Sequence, residues 1–250
     1  MNRVAIVTGS SRGIGRAIAV RLARNDIRVV VTGRDQAALD LVASEIGAAV
    51  IALDLRDPIS AQQLVDFAAA QSGRIDIVVN NAGATKRGDF LALTDDDWAD
   101  GYALKLFGAV RLTRAAWPFL KASSGSLLNI AGIGGRTPGA EFTIGGSVNA
   151  ALLSFTKAMS EVGIRDGVQV NAVNPGTIRT NRFDQRLARF AAEREITIAE
   201  AETQFIAAQH VTRIGEPADI ANLVAFITSA EGRLLQGSVI DMDAGATKTL

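Results

Sequence analysis

Seven short apolar runs pace this chain: Val4–Thr8, Arg28–Thr32, Ala49–Asp54, Ile75–Asn80, Ser126–Ala131, Val168–Asn174 and Ser238–Asp241. Their apolar residues are consecutive rather than alternating, as in strands covered on both faces. Between them, Ala- and Leu-rich stretches predict helices at about 14–25, 35–46, 59–72, 95–120, 147–166 and 217–229. A strand–helix–strand rhythm implies right-handed crossovers and parallel strands. The expectation is one α/β domain over residues 1–250 with a doubly wound parallel sheet. Pro58 and Pro217 stand near helix starts, where a missing N–H costs little. One segment breaks the rhythm: Thr180–His210 is a long, charged, helical excursion, expected to form a lid at about 180–210.

Composition narrows the function. Acidic and basic residues balance at 26 each, so no basic stripe points to nucleic acid. Cys is absent and His occurs once, which excludes thiolate chemistry and a His-rich metal site; no metal is expected. The first strand begins near Arg3, leaving no room for a signal peptide, and no apolar run approaches the ~20 residues of a membrane span. The chain reads as cytoplasmic, without a membrane partner.

Thr8-Gly9-Ser10-Ser11-Arg12-Gly13-Ile14-Gly15 joins the first strand to the first helix. Glycines there allow a tight turn and close approach of backbone to a pyrophosphate, and the helix N-terminus supplies N–H donors and a positive dipole. The position between strand and helix supports a dinucleotide site over a mere turn. The second strand ends Val31-Thr32-Gly33-Arg34. A free ribose 2′-OH wants a carboxylate at that point, whereas a 2′-phosphate wants a cation. Arg34, with Arg12 from the glycine loop, favours NADP(H) over NAD(H); the alternative is that both are solvated surface charges.

With the loop Thr8–Gly15, the pair Asp54-Leu55, the run Asn80-Asn81-Ala82-Gly83 and the segment Asn174-Pro175-Gly176-Thr177-Ile178, the chain resembles the short-chain dehydrogenase/reductase family, nearest its 3-oxoacyl-carrier-protein reductase-like branch. Arg213-Ile214-Gly215-Glu216-Pro217 and Asp241-Met242-Asp243-Ala244-Gly245 agree. The resemblance implies a Rossmann-type seven-stranded sheet, assembled as a homotetramer or dimer through the fourth and fifth helices. It implies a cofactor site of Gly9, Ser11, Arg12, Gly13, Ile14, Gly15 and Arg34. Asp54, with Leu55, would meet the adenine edge, Asn81, Ala82 and Gly83 would line the ribose, and Pro175, Gly176 and Ile178 would bracket the nicotinamide.

The family's chemistry uses an Asn, a Ser, a Tyr and a Lys. Aligned by their surroundings, these positions hold Lys105, Gly132, Gly145 and Asn149 here. Gly145 offers no proton and Gly132 no orienting hydroxyl; loss of a positioned acid or base costs ~10²–10⁴ in rate. The two glycines are expected to leave a widened pocket. Lys105 and Asn149 exchange the family's amide and amine, so both are candidate catalytic groups. A buried Lys105 would act as general acid or as a charge on a developing alkoxide; otherwise it props a neighbouring loop through carbonyls. Tyr102, three residues before Lys105, reads as core or interface. Thr143 and Ser147 flank position 145 as candidate substrate hydrogen-bonders, Glu141 reads as an exposed loop carboxylate, and His210 ends the excursion. In that excursion Arg182, Arg186, Arg189 and Arg194 alternate with Glu193, Glu195, Glu200 and Glu202 as in a solvated helix, while Phe183, Leu187, Phe190 and Phe205 offer an apolar face to a ligand.

Three readings stand: an NADP(H)-binding oxidoreductase with a divergent site acting on a small-molecule carbonyl or alcohol, a cofactor-binding sensor or partner subunit without turnover, and a non-redox lyase or isomerase using Lys105.

Overall fold

A computed structural model describes residues 2–248. Seven strands form one all-parallel sheet: β1 (Val4–Thr8), β2 (Arg28–Gly33), β3 (Ala49–Ala52), β4 (Ile77–Asn80), β5 (Ser126–Ile130), β6 (Gln169–Pro175) and β7 (Val239–Met242). Their order is β3-β2-β1-β4-β5-β6-β7. The five inner strands are almost wholly buried, whereas the edge strands β3 and β7 are half-buried. Inner strands need apolar side chains on both faces, which is why their sequence runs without alternation.

Helices α1 (Gly13–Ala23), α2 (Gln36–Ile46) and α9 (Pro217–Ile227) cover one face. Ile18, Leu22, Leu39 and Val224 interlock there with Val7, Val31 and Val79. On the other face α3 (Ser60–Ser72) and α5 (Gly108–Ser123) place Leu64, Val65, Leu112 and Leu120 against Ile6, Val78 and Leu127. Burying each such side chain contributes ~1.5–3 kcal/mol before entropy is charged against it. Pro217 takes the first position of α9, while Pro58 precedes α3 by two residues.

Three segments differ from expectation. The stretch 95–120 is not one helix: α4 (Asp95–Tyr102) passes through a wider π-helical turn, Ala103–Phe107, into α5. The helix expected from 147 starts four residues earlier, as α6 (Thr143–Asp166). The excursion is two helices, α7 (Asn181–Glu193) and α8 (Ile198–Gln209), the second begun by a Thr197/Glu200 capping box. Among the described residues no helix is long and apolar enough to cross a membrane.

Candidate functional site

The order of strands reverses between β1 and β4, and in open α/β sheets ligands bind outside the carboxyl ends of the strands at that point. A cavity of about 1070 Å³ lies there, walled by the loops after β1, β4, β5 and β6 and roofed by α7 and α8.

Its floor is the glycine loop. Gly9 takes φ 63°, and a Cβ on it would stand 3.0 Å from the Ala82 Cα. A Cβ on Gly15 would overlap the Gly9 carbonyl oxygen and stand 2.5 Å from Asn81 Nδ2. Only glycine permits this closeness. Thr8 and Asn81 lock the two loops together. The Thr8 hydroxyl accepts from the Asn81 and Ala82 amides at 2.9 Å each, and Asn81 Nδ2 donates to the Thr8 carbonyl at 2.9 Å. Asn81 therefore lines the cavity with its amide already committed to the scaffold. No side chain caps the N-terminus of α1, so its first amides are left for another acceptor.

Of the expected cofactor residues, Gly9, Ser11, Arg12, Gly13, Ile14, Gly15, Arg34, Asp54, Leu55, Asn81, Ala82, Gly83, Pro175 and Gly176 all line the cavity. Ile178 does not: its side chain is buried in the sheet core and its backbone bridges to Gly215. Arg12 is exposed and forms no ion pair with a described residue. Arg34 stands 3.9 Å from Asp54, which also accepts from the Arg56 amide at 3.0 Å. Arg56 in turn pairs with Asp100.

At the inner end, the π-helical turn carries Lys105. Such insertions rotate the side chains beyond them and recur at functional sites. Lys105 Nζ donates to the Ala131 carbonyl at 2.6 Å, and its methylenes pack against Gly83. Burial, reinforced by the nearby Arg182 charge, lowers its pKa from 10.5 to about 8. Asn149 is buried at 2% exposure, its amide nitrogen 3.0 Å from where a Gly132 Cβ would lie. Its Oδ1 has no hydrogen-bond partner among the described residues. Lys105 and Asn149 thus converge on the two residues that follow β5, Ala131 and Gly132.

The widened pocket expected at Gly145 is corrected. A Cβ there would overlap two carbons of the Phe142 ring and stand 2.7 Å from a third. The ring takes the space instead of leaving it open. Thr143 and Ser147 do not reach the cavity wall, and the Ser147 hydroxyl donates to the Ile144 carbonyl at 2.9 Å. Tyr102 stacks on Trp98 at 6.5 Å and also lies off the wall, because the π-helical turn separates its face from that of Lys105. His210 ends α8 exposed, at φ 52°. Glu141 lines the wall.

The excursion is less solvated than its charge pattern suggests. Phe183 and Leu187 turn into a small core with Ala191, Ala201 and Ile214, and only Phe205 of the expected apolar face reaches the cavity. Arg182 and Arg186, one helical turn apart, face the cavity, and Arg182 donates to the Gly83 carbonyl at 3.2 Å. The root of α7 rests on the floor, with the Thr180 methyl 3.3 Å from where a Gly13 Cβ would stand. Arg179 ties the roof down through Glu216 at 3.1 Å, Asp184 at 3.8 Å, and Glu202. Sequence reasoning gave no role to Arg87 or Phe142, which also line the wall; their neighbours carry no motif that would have singled them out.

The family profile described as enoyl-(acyl carrier protein) reductase matches residues 9–247. The chain belongs to the short-chain dehydrogenase/reductase family, in its 3-oxoacyl-carrier-protein reductase-like branch. Within that family it is 34% identical to acetoacetyl-CoA reductase of Shinella zoogloeoides, over 98% of each chain. It is 30% identical to the 3-oxoacyl-[acyl-carrier-protein] reductase of Vibrio cholerae, over 97% of this chain and 96% of that one. The crystal structure of L-sorbose reductase from Gluconobacter frateurii, complexed with NADPH and L-sorbose, superposes with a TM-score of 0.92 at 29% identity, covering 100% of this chain and 98% of that one.

Proposed function

We propose that this short-chain dehydrogenase/reductase binds NADP(H) and interconverts a carbonyl compound and its alcohol, with Lys105 supplying the charge or proton at the reacting oxygen. The observation that carries the reading is one continuous cavity with a glycine cradle at one end and the Lys105 ammonium at the other.

The residues present fit the dinucleotide. The cradle is closed to any Cβ at Gly9 and Gly15, the α1 amides lack a cap, and Arg12 lacks a counter-ion among the described residues. Arg12 and Arg34 would hold the 2′-phosphate, the α1 N-terminus the pyrophosphate, and Asp54 the adenine edge. The reductase solved with NADPH supports the same cofactor. When bound, the nicotinamide supplies or accepts hydride.

This chain's own residues do the rest. Lys105, with a pKa near 8, holds its proton at neutral pH and has little to lose by giving it up. Ala131 O fixes the amine at the end of β5. Asn149 lines the wall beside Gly132, and its Oδ1, without a partner among the described residues, is closed off inside that wall. Glycine at 132 and 145 offers no phenol or hydroxyl, while Lys105 Nζ donates to the Ala131 carbonyl just past this strand. The site is in this sense divergent from the family pattern. The reading also carries the expectation of a homo-oligomer, checked by light scattering.

The deciding experiment is fluorescence titration with NADPH and NADH, followed by turnover of a carbonyl panel by wild type and Lys105→Ala. Saturable NADPH binding with turnover lost in the variant supports the proposal. Turnover indifferent to Lys105 removes its role. Tight NADPH binding without any turnover favours the sensor reading, which the Phe142 ring also supports by filling the space beside Gly145 where a side chain would otherwise stand.

A further inference from the structure

The outer half of the cavity carries more positive charge than the cofactor reading uses. Arg87, from the loop after β4, stands 4.0 Å over the Phe142 ring. Arg186, from α7, lies 5.4 Å from the Phe183 ring and 5.1 Å from the Phe205 ring. Both guanidiniums line the cavity, and neither forms an ion pair with a described carboxylate.

Several arginines of the same region are matched: Arg179 holds three carboxylates, Arg189 pairs with Glu193, and Arg213 pairs with Asp219. Arg194, off the cavity wall, lies against the Phe190 ring without an ion pair to a described residue, whereas Arg87 and Arg186 lack one where they line the cavity. Their surroundings worsen the mismatch. Burial weakens the hold of Arg87 and Arg186 on their protons, and Arg186 also feels the Arg87 charge. Glu141 is the one carboxylate that offsets Arg87. Arg87 is nonetheless exposed and Arg186 half-buried, so the two like charges lie where an incoming anion can reach both and relieve their repulsion. The aromatic rings lie against both guanidiniums, and a guanidinium can grip a carboxylate or phosphate in two-pronged fashion.

We propose that Arg87 and Arg186 form a docking pair for an anionic group, carboxylate or phosphate, borne by the substrate, so that the site selects charged over neutral carbonyl compounds. The proposal rests on the oxidoreductase reading for its reacting end but not for its anion grip. Phe142 links the two ends, since its ring both fills the space beside Gly145 and supports Arg87.

The test uses matched probes: acetoacetate against methyl acetoacetate, and dihydroxyacetone phosphate against dihydroxyacetone. Binding to the purified protein, with and without NADP⁺, is measured by calorimetry for wild type, Arg87→Met, Arg186→Met and Arg186→Lys. At least one anion should bind ~10-fold or more tightly than its neutral partner, a difference of ~1.4 kcal/mol. Each Met variant should lose that preference and keep its NADPH affinity, while Arg186→Lys keeps part of it. The anion preferred, carboxylate or phosphate, identifies the group recognised. Equal binding of anions and neutral partners, no binding of either anion, or a preference that survives both Met substitutions overturns the proposal. Failure to bind NADPH, with the anion preference intact, would instead count against the cofactor reading alone.

Discussion

The Phe142 ring occupies the space that a side chain at position 145 would need: a Cβ on Gly145 overlaps two of its carbons. Gly145 is buried inside α6, so the backbone cannot easily move away. Gly145→Ala should therefore destabilise the protein by ~1–3 kcal/mol, the usual cost of overpacking. Phe142→Ala in the same chain should recover most of that loss. Urea denaturation of the two single variants and the double variant measures the coupling, and additive effects would contradict this packing.

The two arginines beside the glycine loop should contribute unequally to the proposed cofactor site. Arg12 lacks a carboxylate partner among the described residues, whereas Arg34 is shared with Asp54 at 3.9 Å and its side chain is 65% exposed. Arg12→Ala should weaken NADPH binding ~10-fold or more and leave NADH nearly unchanged. Arg34→Ala should produce a smaller change of the same kind. Fluorescence titration of both cofactors checks the ranking.

Lys105 should leave two pH signatures. With its amine at about 8 in the folded protein, carbonyl reduction should fall as pH rises through 8 and alcohol oxidation should rise; Lys105→Ala should flatten both profiles. The second signature is in stability. The downward shift from 10.5 amounts to roughly 3 kcal/mol against the buried ammonium. Between these two values the unfolded chain holds the extra proton, so the contribution of this group to stability grows as pH rises from 8 towards 10.5. Lys105→Met should be more stable than wild type at pH 7, by ~1–3 kcal/mol, with the advantage shrinking by pH 9.5. A gap that does not change with pH would deny the shift.

Arg179 should govern how firmly the helical roof is held. It joins Asp184 of α7, Glu202 of α8 and Glu216 before α9. Partly exposed pairs are individually weak, ~1 kcal/mol or less, but here one cation serves three anions. Arg179→Met should speed proteolytic cleavage between residues 180 and 210 several-fold while leaving global melting nearly unchanged. Mass spectrometry of the first fragments locates the cut.

The sheet was legible because each buried strand had to be apolar on both faces; Val4–Thr8 appears with both ends as expected. The glycine-loop residues of the cavity floor were legible for a related reason, since backbone proximity at Gly9 and Gly15 favours a single residue type. What escaped depended on packing across distance. The turn holding Lys105 follows the same apolar spacing as an ordinary helix, so the shift at Ala103–Phe107 left no trace in the sequence. The helix expected from 147 begins at Thr143 instead, and its Gly145 and Gly146 make room for Phe142 and Pro138, a packing that only the folded chain reveals. Arg182 and Arg186 looked like any solvated pair, because nothing local tells which side of α7 faces a void.

Thr180 sits at once on the floor of the cavity and at the root of its roof. A guest seated on the glycine loop therefore also touches the hinge-point from which both roofing helices spring. Under the proposed function, initial-rate patterns with the dinucleotide adding first are the expected outcome, and random addition would show that this shared contact does not govern entry.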